Sequence, residues 1–151
     1  MNKQRFLSVI VVFVTKLFIG ACSGPYAVTL NNQPVYTPKP LFSDYAIRDA
    51  ALKACVQQTI ADQKATEAGQ LIKLDCSDAG VTMLEGIERF YALAKIDLSN
   101  NKITDASALA QLPSLTFLNL ENNVLLVCDN LENIQINGTA KWPAQCFNED
   151  V

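Results

Sequence analysis

The sequence predicts an α/β solenoid, a stack of about three to four short parallel strands forming one face, closed at the front by an N-terminal capping helix. Three observations predict it. Leu71, Leu93 and Leu115 stand 22 residues apart and each opens the same apolar series. Within each series, polar residues alternate with apolar ones, so that one side of a strand turns inward and the other outward. Ahead of the first series, Leu52, Cys55, Val56, Thr59 and Ile60 recur at helical spacing. A period of about 20 to 29 residues marks an architecture whose units bury their apolar sides only against one another.

The series read Leu71/Leu74/Cys76/Val81, Leu93/Ile96/Leu98/Ile103 and Leu115/Leu118/Leu120/Leu125, with Asn101 and Asn123 at the ninth position of the second and third. A side-chain amide there can hydrogen-bond the backbone groups left open as a strand turns the corner. Residues 71–136 on this pattern resemble the leucine-rich repeat family, in particular its 22-residue, internalin-like bacterial class. The first copy departs at Cys76 and Ala79, as terminal repeats often do. Leu84/Ile87/Phe90 and Ala106/Leu109/Leu112 turn inward from the convex side. Continuing that frame gives Cys128/Leu131/Ile134, so Leu131, Ile134 and Ile136 read either as a shortened fourth strand or as more of the convex side.

The opening repeat needs its apolar layer covered. Residues 43–70 supply the cover as a helix capped by Ser43 or Asp44 and running to about Ala65. Residues 137–151, with Trp142 and Phe147, are expected to close the far end.

The amino terminus is a targeting segment. Lys3 and Arg5 precede an apolar run from Phe6 to Ile19, the order of an export signal. The run ends Ile19-Gly20-Ala21-Cys22, which resembles the lipobox of bacterial lipoproteins. That resemblance implies cleavage after residue 21, a diacylglyceryl thioether on the Cys22 sulfur and membrane anchoring through its acyl chains, palmitate among them. Ser23 follows, and in lipoproteins of diderm bacteria a residue other than aspartate there usually permits transfer to the outer membrane. Residues 22–42, with Pro25, Pro34, Pro38 and Pro40, are expected to form a tether, or a short strand or strap. Asn137-Gly138-Thr139 fits a glycosylation pattern, and is read as a turn.

Loss of residues 1–21 removes three of the twelve basic residues and none of the fifteen acids, leaving nine against fifteen and a mature net charge of −6. A chain so acidic, with no basic cluster, is a poor nucleic-acid or anionic-lipid binder. No cofactor is expected, and a monomer is. Apart from Cys22, four cysteines remain, which permit three pairings. A solenoid keeps its ends apart, so the economical pairing is Cys55–Cys76 at the front and Cys128–Cys146 at the back, in the oxidising environment that export supplies. With no histidine and no CxxC, zinc is not expected.

Function, by the resemblance, belongs to the outward residues of the strands. They align in three columns: Lys73, Lys95 and Phe117; Asp75, Asp97 and Asn119; Ser77, Ser99 and Glu121. One reading is a solvated face on which lysines and aspartates neutralise each other. The sharper one makes Phe117 an aromatic anchor with Lys95, Asp97 and Glu121 as a polar rim, and counts Lys73, Asp75 and Asn119 with them as partner-binding residues. No nucleophile, histidine or glycine loop converges on Asp75 and Asp97, so catalysis is not expected. The chain therefore reads as a lipid-anchored, non-catalytic interaction module of the cell envelope, or as a structural envelope component with no specific ligand.

Overall fold

The computed structural model describes residues 28–129 and 131–146. The export segment, Cys22 and Phe147 lie outside the described residues. The chain forms two compact units, separated between Lys39 and Pro40.

In the first unit, β1 (Val28–Leu30) and β2 (Gln33–Tyr36) pair as an antiparallel hairpin. Asn31 and Asn32 form its two-residue turn with φ of 52° and 62°. Asparagine tolerates that left-handed region better than most residues, and a two-residue hairpin turn requires it.

The second unit is the solenoid. Its helix, α1 (Ala50–Gln63), buries Leu52, Val56 and Ile60, spaced by one turn each, over the first repeat. The cap is Asp49, not Ser43 or Asp44: its carboxylate accepts from Leu52 N at 2.8 Å. It also accepts from Thr82 N at 2.9 Å, Thr82 Oγ1 at 2.7 Å and Met83 N at 3.2 Å. One buried carboxylate thus starts the helix and fastens it to the first repeat. Residues 43–48 stay outside the helix because other partners hold them. Asp44 pairs with Arg89 at 2.8 Å, Tyr45 packs edge-on to Phe90 at 5.2 Å between ring centroids, and Ile47 is buried.

Strands β3 (Lys73–Asp75), β4 (Lys95–Asp97), β5 (Phe117–Asn119) and β6 (Thr139–Lys141) form one parallel sheet in that order. Leu74, Ile96 and Leu118 face inward in register, and 3₁₀ turns at Ile87–Arg89, Ser107–Gln111 and Leu131–Asn133 form the convex side. Leu131, Ile134 and Ile136 therefore belong to the convex return, and the fourth strand lies further on, at β6. This corrects the boundary at residue 136: the segment read as a C-terminal cap carries a fourth repeat. Asn137, Ala140, Trp142 and Gln145 occupy its slots, each 22 residues after Leu115, Leu118, Leu120 and Asn123. Gln145 Nε2 donates to Asn123 O at 2.8 Å.

One core position also moves. Val81 and Ile103 are fully buried, whereas Leu125 is 57% exposed and Leu126, at 4%, fills the slot. The turn in which Leu126 N donates to Asn123 O takes up one more residue, and the frame is restored by Leu131.

The corner asparagines are internal. Asn101 Oδ1 accepts from Val81 N at 2.9 Å, while Nδ2 donates to Cys76 O at 2.8 Å and Leu98 O at 2.9 Å. Asn123 repeats this with Ile103 N, Leu98 O and Leu120 O. Disulfides join Cys55 to Cys76 and Cys128 to Cys146, one at each end of the stack.

Candidate interaction face

Along each strand the residue before and the residue after the inward one project from the concave side. The parallel register puts Lys73 opposite Lys95, Lys95 opposite Phe117 and Phe117 opposite Thr139. Two residues on, Asp75, Asp97, Asn119 and Lys141 align likewise. These columns border a hollow of about 420 Å³ whose lining includes Lys73, Lys95, Thr116, Phe117 and Thr139. Thr116, Thr139 and Lys141 were not foreseen: the first precedes its strand, and the other two lie in the unrecognised fourth repeat.

The two columns differ in what holds them. Asp75 Oδ1 accepts from Ser77 Oγ at 2.9 Å and Ser77 N at 3.3 Å. Asp97 Oδ1 accepts from Ser99 Oγ at 2.6 Å and Ser99 N at 3.0 Å, and its Oδ2 from Asn119 Nδ2 at 3.2 Å. Asn119 Oδ1 in turn accepts from Glu121 N at 3.1 Å. Strands β3, β4 and β5 thus each end in a turn closed by an Asp or Asn side chain two residues back, a role these side chains commonly play. The recurring Asp-x-Ser at 22-residue spacing was the sequence signal for it.

Two site assignments change on this ground. Asn119 is buried, so it supports the turn and offers little to a partner. Asp97 is half-buried and engaged on both oxygens. Burial alone would raise its pKa, but the bonds from Ser99 and Asn119 and the field of Lys141 prevail and hold it below the ordinary value. Glu121 pairs with Lys141 at 3.2 Å across the last strands.

Lys73 and Lys95 are exposed, and among the described residues neither ammonium lies within ion-pair distance of a carboxylate. Mutual neutralisation of the lysines and aspartates by direct pairing does not occur here. Phe117 is half-buried beside them. The face therefore presents two cations, an aromatic ring and threonines, while Asp97 is occupied on both oxygens and the exposed Asp75 on one.

A second ladder runs along the rim. Asp78, Asn100 and Asn122 adopt φ of 55°, 58° and 61°, and Asn122 Nδ2 donates to Asn100 Oδ1 at 2.7 Å, Asn100 Nδ2 to Asp78 Oδ2 at 3.2 Å.

The sequence model described as leucine rich repeat matches residues 72–125. Among solved structures, internalin C2 from Listeria monocytogenes is similar at 26% identity and a TM-score of 0.53, over 61% of this chain and 43% of that one. The chain thus spans less than half of the internalin chain. The CBM51-2 and INT domains of ZmpB from Clostridium perfringens align over 54% of this chain and 18% of theirs, at 26% identity and a TM-score of 0.45. No curated protein sequence matches.

Proposed function

Because its repeats belong to the leucine-rich repeat family, we propose that the chain is a non-catalytic protein-interaction module, held at a bacterial cell envelope by lipid on Cys22, with the concave strand face as its binding surface. The observation that carries the reading is the register of Lys73, Lys95 and Phe117 along one hollow, with the charges uncompensated and the ring half-exposed. Like charges directly opposite each other destabilise a sheet; the Asp75/Asp97 pair is accounted for by the turns it closes, whereas the Lys73/Lys95 pair has no such role within the strands, which supports a ligand for it. A half-exposed aromatic ringed by polar groups, which a partner would desolvate, is what interface hot spots are made of.

Four strands offer a small surface, so the affinity is modest unless the partner is held at the same membrane, where effective concentration rises. Lipidation supports that arrangement: two or three acyl chains, each stabilised by about 0.8 kcal/mol per buried CH₂, bind essentially permanently. Ser23 after Cys22 favours the outer membrane in a diderm source.

The test is crosslinking in intact cells followed by capture of the protein. A defined envelope protein should be enriched, and Phe117→Ala or Lys95→Gln should remove it without changing the amount of folded protein. Capture of no partner, or of the same set by wild type and Phe117→Ala, leaves the structural-component reading instead. Cys22→Ser should abolish acyl labelling and leave unprocessed precursor; unchanged labelling refutes the anchor.

A further inference from the structure

The concave face selects for one kind of ligand more narrowly than its family resemblance implies. The six N–H groups of the Lys73 and Lys95 ammoniums have no carboxylate within ion-pair distance among the described residues, whereas Asp97, in the same hollow, is bound on both oxygens and Asp75 on one. Asp62, on the helix side of Lys73, accepts from Gln58 at 2.8 Å. What the face lacks is a hydrogen-bond acceptor carrying negative charge, placed between two lysines that sit directly opposite each other on adjacent strands. The Asp75/Asp97 column, two residues further along the strands, repels a second anion and confines the first to the lysine column.

Phe117 continues that column one strand on. From the midpoint of Lys73 and Lys95 to Phe117 is one and a half strand spacings, about 7 Å at about 4.8 Å per spacing. An extended peptide places side chains i and i+2 on one side at about 6.8 Å. The two distances agree, so a peptide lying across the strands can put a carboxylate between the lysines and an apolar side chain against Phe117 at once. Beyond it, Thr139 follows Phe117 in register and borders the same hollow.

We propose that the face binds an extended segment of a partner protein in which an internal Glu or Asp and an apolar residue stand two positions apart, the carboxylate between Lys73 and Lys95 and the apolar side chain on Phe117. This rests on the interaction reading above and names the chemistry of its partner. The carboxylate is a side chain's, because the chain must continue past it to reach Phe117. Charge-assisted contacts of this kind are the stronger class of hydrogen bond and are weakened by salt when exposed.

The experiment is a titration of purified full-length protein with fluorescent nine-residue peptides, blocked at both ends, carrying Glu-x-Leu, Gln-x-Leu or Glu-x-x-Leu in an otherwise neutral background. Glu-x-Leu should bind at least about tenfold more tightly than either of the others, a difference of about 1.4 kcal/mol. The preference over Gln-x-Leu should vanish in the Lys73→Gln/Lys95→Gln double variant, whose melting temperature should not fall, because both side chains are exposed and their mutual repulsion is removed, and it should shrink with added salt. Equal binding of Glu-x-Leu and Gln-x-Leu overturns the proposal. So does Glu-x-Leu failing to compete while the crosslinked partner is still lost in Phe117→Ala, which leaves the interaction reading intact with a ligand of other chemistry. Loss of partner capture altogether removes the interaction reading itself. Self-association of the protein that Lys73→Gln/Lys95→Gln abolishes, without peptide binding, would assign the face to a second copy and also overturn the proposal.

Discussion

Replacing Asn101 by alanine should destabilise the solenoid about twice as much as replacing Asn123, although the two residues occupy the same slot. The difference follows from what each leaves unpaired. Without its amide, Val81 N and Cys76 O lose the partners Asn101 gave them, at 2.9 and 2.8 Å, and the turn provides no other. Leu98 O keeps Asn123 Nδ2 at 2.9 Å, and Ser99 O keeps Asp78 N at 3.0 Å. Removing Asn123 orphans Ile103 N, but Leu98 O keeps Asn101 Nδ2 and Leu120 O keeps the backbone N of residue 123 at 3.3 Å. A buried backbone group left without a partner costs about 1–3 kcal/mol. Two against one gives about 4 kcal/mol for Asn101→Ala and about 2 kcal/mol for Asn123→Ala at the middle of that range. At about 4–8 °C per kcal/mol for a domain near this size, Asn123→Ala should lower Tm by about 8–16 °C. Asn101→Ala, removing a large part of a typical total stability of about 5–15 kcal/mol, should fall roughly twice as far. Urea melts of both variants, with the disulfides intact, measure this directly. Equal losses, or a larger loss for Asn123→Ala, would refute the assignment of Val81 N and Cys76 O as groups that no water reaches.

The remaining predictions concern the helix, the turns and the ends. Burial raises the Asp49 pKa, but its bonds from Leu52, Thr82 and Met83 outweigh that and hold it below the ordinary value; a depressed folded pKa stabilises above the unfolded value of about 3.9 and is lost as pH falls through the folded one. Acid unfolding followed by circular dichroism should therefore set in below about pH 4, and Asp49→Ala should lower neutral-pH stability by about 1–3 kcal/mol and flatten the acid limb. Asp97→Ala should cost about 1–2 kcal/mol by freeing Ser99 N and Asn119 Nδ2, where a fully exposed aspartate would cost within about 0.5 kcal/mol; thermal melts decide. Non-reducing peptide mapping should recover Cys55–Cys76 and Cys128–Cys146, and reduction should lower stability by about 3 kcal/mol for each loop. A Cβ on Gly138 would collide with the backbone of Thr116 at its carbonyl, so Gly138→Ala should separate β6 from β5 and speed hydrogen exchange at Thr139 N, leaving the first three strands protected.

The repeat core was legible because its positions depend on period alone. Leu71, Leu74, Leu93, Ile96, Leu98, Leu115, Leu118 and Leu120 are all buried in a parallel stack, and only the alternation and the 22-residue spacing were needed to place them. Where a local contact competed with the period, the sequence misled. Ser43 and Asp44 are good caps in isolation, but Asp49 has four backbone and hydroxyl donors waiting on α1 and the first repeat. Three of those donors, on Thr82 and Met83, come from residues more than thirty positions away, which no local rule can see. Leu125 and Leu126 are the same residue type, so which one enters the core is settled by a turn hydrogen bond from Leu126 N. The fourth repeat escaped notice because its slots hold Asn137, Ala140 and Trp142 in place of leucines. Trp142, 22 residues after Leu120, was the surviving signal.

The concave face shows the limit from another side. Alternation places Lys73 and Asp75, or Lys95 and Asp97, as equal members of an outward surface, and by that criterion both columns are candidates for a partner. The residue two positions further on separates them. Ser77 and Ser99 return a hydroxyl and an amide to the aspartates, closing a turn, whereas the residues two positions beyond the lysines are those same occupied aspartates. A repeated outward column that finds its partner within its own strand end is architecture. A repeated column of like charge that finds none keeps its mutual repulsion, which an opposite charge brought by a ligand would relieve. Lys73 and Lys95 meet that second description, and Phe117, in register beside them, would give the proposed carboxylate-bearing segment an apolar neighbour.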